Sequence, residues 1–260
     1  MSTKKVWLAL SSGGARGLAH IGVLEVLERH GIPVDMIAGS SMGSLVGALY
    51  ASGKAVAEIK ATVSDLGTKR FSFLVDPTLP KTGLVRGRRI EETIRKAIGD
   101  LVFDELKMPF ACVATDINSG REVIIREGLV WKGVRASSSI PVLLAAVKRR
   151  GKYLVDGGLV NPVPVSVLEV MGADFIVAVN VTPCHGTEQN KELNIFSIVI
   201  QMLNIATHRI IKASLEGADV IIEPRVEHIA YGDFHRVDES VERGVLATEE
   251  SVAEIKKLLS

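Results

Sequence analysis

Residues 6–50 read VWLALSSGGARGLAHIGVLEVLERHGIPVDMIAGSSMGSLVGALY. Val6 to Leu10 is a short apolar run that stops at a Gly/Ser cluster, the pattern of a buried strand. From Leu18 to His30, Ile21, Leu24 and Leu27 (with Val23 and Val26) fall at helical spacing. Gly31 then stands where a left-handed cap closes a helix. Val34 to Ala38 reads as a second strand, and the turn Gly39–Gly43 leads into a helix from Ser44 to Tyr50. Strand, glycine loop, helix, strand, sharp turn, helix is a βαβα beginning. It predicts an α/β fold of three layers, α/β/α, around a mainly parallel central sheet.

The rest of the chain extends that pattern. Helices are expected over Val56–Leu66, Arg88–Ile98, Trp131–Ala136, Pro164–Met171 and Ile195–Ile211, with one or two more closing the chain over Val241–Leu259. Strands are expected at Phe110–Thr115 and Glu122–Arg126, joined across Asn118-Ser119-Gly120. Val142–Val147 and Tyr153–Val155 flank a basic turn, and Phe175–Val181 and Val220–Ile222 complete the set. Arg70–Arg89, with Pro77, Pro80, Gly83 and Gly87, reads as a long loop or cap over a site. No repeat or composition break marks a linker, so residues 1–260 are expected to form one domain.

Composition narrows the function. The 260 residues carry 31 Lys plus Arg against 30 Asp plus Glu, a net charge of +1. That balance offers no counterion-release drive toward nucleic acid. With 47% hydrophobic residues the chain is too apolar for disorder. Cys112 and Cys184 are too few for a disulfide scaffold and lack metal-ligand spacing, so neither a metal nor a cofactor is expected. The apolar run at Val6–Leu10 is shorter than a signal peptide needs. Met36–Gly53 is charge-free but too rich in Gly and Ser for a membrane span. A cytoplasmic protein is expected.

Three motifs carry the chemistry. Gly39-Ser40-Ser41-Met42-Gly43 is a G-x-S-x-G between a strand and a helix. There Ser41 would sit on a strained bend with its hydroxyl exposed and the helix N-terminus aimed at a developing oxyanion. Ser11-Ser12-Gly13-Gly14-Ala15-Arg16-Gly17 can present consecutive backbone N–H groups as an anion nest. It fits neither a dinucleotide fingerprint nor a P-loop, since Ser12 replaces the first glycine and no G-K-[ST] occurs. Asp156 follows Tyr153-Leu154-Val155 and precedes Gly157-Gly158, so it is either a close-approach aspartate or an ordinary turn residue. A Ser–Asp–His triad could draw on His185, His208, His228 or His235, but none lies in a glycine-marked turn after a strand.

Together these motifs, with Arg135-Ala136-Ser137-Ser138-Ser139-Ile140-Pro141 ahead of the aspartate, resemble the patatin-like phospholipase family in order and spacing over roughly residues 6–165. Ser12 departs from the family's first glycine. The resemblance implies a serine acyl hydrolase with a dyad of Ser41 and Asp156 and an acyl-enzyme intermediate. It implies an oxyanion hole from the Gly13, Gly14, Ala15 and Met42 amides, and supporting roles for Arg16, Gly17, Gly39, Gly43, Gly157 and Gly158. The partner expected is a lipid or ester substrate met in peripheral membrane contact. A soluble-ester carboxylesterase and a non-catalytic adaptor on the same fold remain as alternatives. Arg16 reads as a phosphate contact or an ion pair, and Lys148–Lys152 as a headgroup contact or a solvated hairpin tip. Ile195–Ile211 reads as a core helix or an acyl-binding wall.

Overall fold

A computed structural model describes residues 4–68, 83–182 and 195–260. The strands are β1 (Val6–Leu10), β2 (Met36–Ser40), β3 (Gly83–Val85), β4 (Phe110–Asp116), β5 (Arg121–Ile125), β6 (Val142–Leu144), β7 (Val147–Arg149), β8 (Lys152–Asp156), β9 (Phe175–Val179) and β10 (Val220–Ile222). The helices are α1 (Ala19–Arg29), α2 (Met42–Ala51), α3 (Val56–Thr68), α4 (Arg88–Ile98), α5 (Val130–Ser137), α6 (Val165–Val170), α7 (Ile195–Ser214) and α8 (Val237–Leu259). The main sheet runs β10-β9-β1-β2-β4-β8-β7, with β5 beside β4. Strands β10, β9, β1, β2 and β4 are parallel to their neighbours in that order.

Side chains alternate across this sheet. Leu8, Leu10, Ile37, Cys112, Ala114, Val177 and Val179 face one core, together with α1, α2 and α8. Ala9, Met36, Ala38, Ala111, Val113, Ile176 and Ala178 face a second core that contains Val165, Val167 and Leu168 of α6. Because both faces are buried, the central strands read as continuous apolar runs. That is the three-layer arrangement expected.

Two features of the sheet position the site. The chain passes from β1 to β2 on one side and returns with β9 on the other, so the loops after these strands open beside a topological switch point. On one edge of β4, β2 runs parallel to residues 110–113 and ends with Ser40 opposite Val113. On the other edge, β5 covers residues 112–116. β8 pairs antiparallel with residues 114–116, so it shares the β2 edge and ends with Asp156 opposite Ala114. The two strands meet end to end.

Differences from the sequence reading are local. β2 starts and ends two residues later than Val34–Ala38, which places Ser40 inside the strand. Gly14–Leu18 forms a 3-10 turn ahead of α1. Val142–Val147 is not one strand: β6 pairs with β3, while β7 forms the hairpin with β8. The closing helix is single and begins at Val237. Arg70–Arg89 contains β3 and the start of α4; its residues 70–82 lie outside the described residues, as do Cys184 and His185. Among the described residues, no helix is long and apolar enough to cross a membrane.

The crossing of α1 and α8 has no space for side chains at its centre. A Cβ on Gly22 would lie 2.0 Å from the Val241 carbonyl oxygen, and one on Gly244 would lie 2.0 Å from that of Ala19. Helix propensity alone would make Gly22→Ala stabilising by about 1 kcal/mol. Backbone cannot yield as a side-chain tip can, so Gly22→Ala is expected to destabilise by roughly 1–3 kcal/mol. Urea unfolding of the variant checks this, and a gain in stability would show a looser crossing.

Candidate active site

Ser41 joins β2 to α2 with φ 50° and ψ −116°. A non-glycine residue holds such a backbone only where its surroundings fix it. Here the Ser41 N–H donates to Ser137 Oγ at 2.9 Å, and the Ser41 carbonyl accepts from Ser44 Oγ at 2.6 Å. Both motif glycines are required by close approach. A Cβ on Gly39 would lie 2.5 Å from the Gly43 carbonyl oxygen, and one on Gly43 would lie 2.3 Å from that of Leu10. The same approach brings the glycine loop against the bend: a Cβ on Gly17 would lie 2.5 Å from Met42 Cγ.

Asp156 arrives from the opposite direction at the end of β8. Ser41 Oγ donates to Asp156 Oδ2 at 2.6 Å, and the Gly158 N–H donates to Oδ1 at 2.8 Å. Asp156 is held by backbone as well. Its N–H donates to the Ser139 carbonyl at 2.9 Å, and its carbonyl accepts from Thr115 Oγ1 at 2.8 Å. Gly157 must be glycine, since a Cβ there would lie 2.2 Å from the Val113 carbonyl oxygen. Burial pushes the Asp156 carboxyl up to about 6, against the pull of its bonds from Ser41 and Gly158. A carboxyl at that value can take a proton near neutral pH.

The glycine loop supplies donors. Gly13 (φ 156°) and Gly14 (φ 57°) adopt backbones suited to glycine. Among the described residues nothing accepts from the N–H of Gly13, Gly14 or Met42. The Ala15 N–H, expected beside them, instead donates to the Tyr231 carbonyl at 2.9 Å. Arg16 is buried, and its Nε donates to the Ile229 carbonyl at 2.7 Å, a bond that secures the loop to the segment ahead of α8.

The hydroxyl of Ser41 is not exposed as expected; the residue is 4% accessible, because Asp156 and the Tyr231 phenol stand against it. A cleft with about 440 Å³ of empty space, part of it open to solvent, lies beside the pair. Asp156, Gly158, Ser12, Gly13, Arg16 and Tyr231 line one side. Ile200, Leu203, Asn204 and Thr207 of α7 line another, so this helix serves as a cleft wall and not only as core.

No histidine lines this cleft among the described residues. His20 is fully buried, its Nε2 bonds the Ser11 carbonyl at 2.9 Å, and burial lowers it to about 4, so it stays neutral. His30 and His228 pair with Glu249 and Glu239. The Cys112 thiol is buried and pushed up to about 12, which leaves it unreactive. Arg149 and Arg150 of the basic turn bond Glu127, as a hairpin tip does. Sequence reasoning assigned nothing to Ser137 or Tyr231. Ser137 lies in a quoted motif but acts through the contact between the end of α5 and the Ser41 bend. Tyr231 lies in a loop without pattern.

Comparison with known proteins fits this geometry. The family described as patatin-like phospholipase matches residues 8–169, more than half of the chain. The chain belongs to the patatin-like phospholipase family. The matched span holds the glycine loop, the Ser41 bend and the Asp156 turn. An uncharacterized NTE family protein of Mycobacterium tuberculosis is 36% identical over 69% of this chain and 49% of its own length. The neuropathy target esterase sws of Drosophila melanogaster is 36% identical over 70% of this chain and 13% of its own. Lysophospholipase NTE1 of Scheffersomyces stipitis is 30% identical over 92% of this chain and 17% of its own. The chain thus spans about half the length of the Mycobacterium relative and far less of the others. In three dimensions it is similar to VipD from Legionella pneumophila, with a TM-score of 0.57 at 13% identity, covering 98% of this chain and 67% of VipD. That likeness concerns the fold.

The raised Asp156 carboxyl carries a cost that pH reveals. Folding lifts it from 3.8 to about 6, so the native state holds the proton more tightly than the unfolded chain. Stability therefore falls as pH rises across that window and stays lowered above it. Asp156→Asn removes the ionisation. It is expected to be more stable than the parent at pH 8 by roughly 1–3 kcal/mol, with the gap closing toward pH 4. Denaturant melts at both pH values check this; no gap at pH 8 would mean that the carboxylate is buried without penalty.

Proposed function

We propose that the chain is a single serine acyl hydrolase domain that cleaves a carboxylic ester of a lipid, a lysophospholipid being the substrate its relatives suggest. The observation that carries this reading is the 2.6 Å hydrogen bond from Ser41 to a buried Asp156, formed on a strained strand-to-helix bend. Relatives named esterase and lysophospholipase support the ester class. Ser41 attacks the ester carbonyl while Asp156 accepts its proton. The N–H groups of Gly13, Gly14 and Met42, with the start of α2, offer charge stabilisation to the tetrahedral oxyanion. Asp156 passes the proton to the leaving alcohol. It then takes one from water, whose hydroxide releases the acyl group from Ser41.

An aspartate is a weak base at its ordinary value, so two features share the task. Burial raises Asp156, and the donors at the bend lower the cost of charge on the attacking oxygen. Contact with a lipid surface is part of the proposal. While one side of α7 lines the cleft, Ile198, Met202 and Ile205 on the other side are exposed. A bound lipid assembly there would lie next to the cleft.

The test is hydrolysis of palmitoyl-lysophosphatidylcholine against p-nitrophenyl butyrate, with labelling by a fluorophosphonate. Ser41→Ala is expected to lose both turnover and label. Asp156→Asn is expected to cost about a thousandfold in kcat, and the double variant to be no worse than either single one, because the pair acts as a unit. Turnover confined to the soluble ester would favour a general carboxylesterase. Absence of label in the parent chain would favour a binding protein on this fold.

A further inference from the structure

Tyr231 lies outside every sequence motif, yet it touches each part of the site. Its carbonyl accepts the Ala15 N–H at 2.9 Å. Its ring fills the space that Gly14 leaves open: a Cβ on Gly14 would lie 2.5 Å from Tyr231 Cδ1 and 2.6 Å from Cε1. With Ser12, Gly13, Arg16 and Asp156 it lines the cleft. Its hydroxyl stands near the Ser41 side chain and the charges of Asp156 and Arg16. Since the Ser41 proton is already committed to Asp156 Oδ2, a hydrogen bond between the two hydroxyls has to run from the Tyr231 O–H to Ser41 Oγ.

We infer that Tyr231 is a catalytic residue whose phenol donates a hydrogen bond to Ser41 Oγ and favours the step in which that oxygen leaves the acyl group. The inference rests on the acyl-hydrolase reading and adds a third side chain to it. Burial, then the neighbouring Asp156 charge, push the phenol above its ordinary range. It therefore remains a protonated donor across the working pH. The effect differs between the two halves of the reaction. In acylation Ser41 Oγ gives electron density to the carbonyl carbon, and a donor on it withholds some of that density. In deacylation the bond from the acyl carbon to Oγ breaks and its electron pair stays on Oγ. The proton Oγ gains comes from Asp156, which has taken it from the attacking water. Tyr231 keeps its own proton throughout and stabilises the charge that builds on Oγ.

Tyr231→Phe removes this one bond while keeping the ring against Gly14 and the carbonyl for Ala15. With a p-nitrophenyl ester in stopped flow, kcat is expected to fall about 10–100-fold, with a burst of p-nitrophenol approaching one equivalent of Ser41. The rate of fluorophosphonate labelling, which needs attack alone, should change less than about threefold. A kcat within about twofold of the parent would overturn the inference. So would labelling that slows in step with kcat, since that would make the residue a structural support. If Ser41→Ala retained turnover, the acyl-hydrolase reading itself would fail, an outcome separate from either of these.

Discussion

The Ser41 hydroxyl reaches the Asp156 carboxylate because β2 and β8 approach each other along one edge of β4. A strand normally has one partner per edge, and here that edge is divided: residues 110–113 hold β2, and residues 114–116 hold β8. The ends of the two strands therefore fall on adjacent residues, Val113 and Ala114, and the side chains that follow have little choice but to meet. Gly157 makes the junction possible, being pressed against the Val113 carbonyl where a Cβ would collide. The glycine loop after β1 closes the site from the neighbouring strand, with Gly17 on Met42 and Gly43 on Leu10.

This arrangement concentrates unfavourable terms at one place. Ser41 holds a strained backbone, and Asp156 loses hydration and is raised to about 6. Each is constrained by neighbours on rigid elements: Ser137 on α5, Ser44 on α2, and Thr115 on β4. The two cores on either side of the sheet supply the stability against which such strain is held. The proposed dyad needs no mobile histidine, because Asp156, its proposed base, is fixed by the same strand junction that brings it to Ser41.

Much of the fold was legible in residues 6–50, since buried parallel strands are uninterrupted apolar runs and Gly31 caps its helix with φ 66°. The bend and its two glycines could be read because close backbone approach demands glycine at fixed offsets from Ser41. Where several long-range contacts decide a role, the sequence was silent. Whether Asp156 would closely approach another loop or stand in an ordinary turn depended on which edge of β4 accepted β8. The Ala15 amide is spent on Tyr231, 216 positions away, and no local pattern marks that partner. The split of Val142–Val147 into two strands depends on β3, far back in the chain.

The central claim is that Asp156, held at a raised value, takes the proton from Ser41. The pH dependence of fluorophosphonate attachment to Ser41 tests it most directly, because that step isolates nucleophilic attack from substrate binding and product release. The account predicts a rate that rises with one deprotonation centred near pH 6 and reaches a plateau, with this rise absent from the Asp156→Asn variant. The same rise surviving in that variant, at the same midpoint, would assign the proton to another group and contradict the dyad.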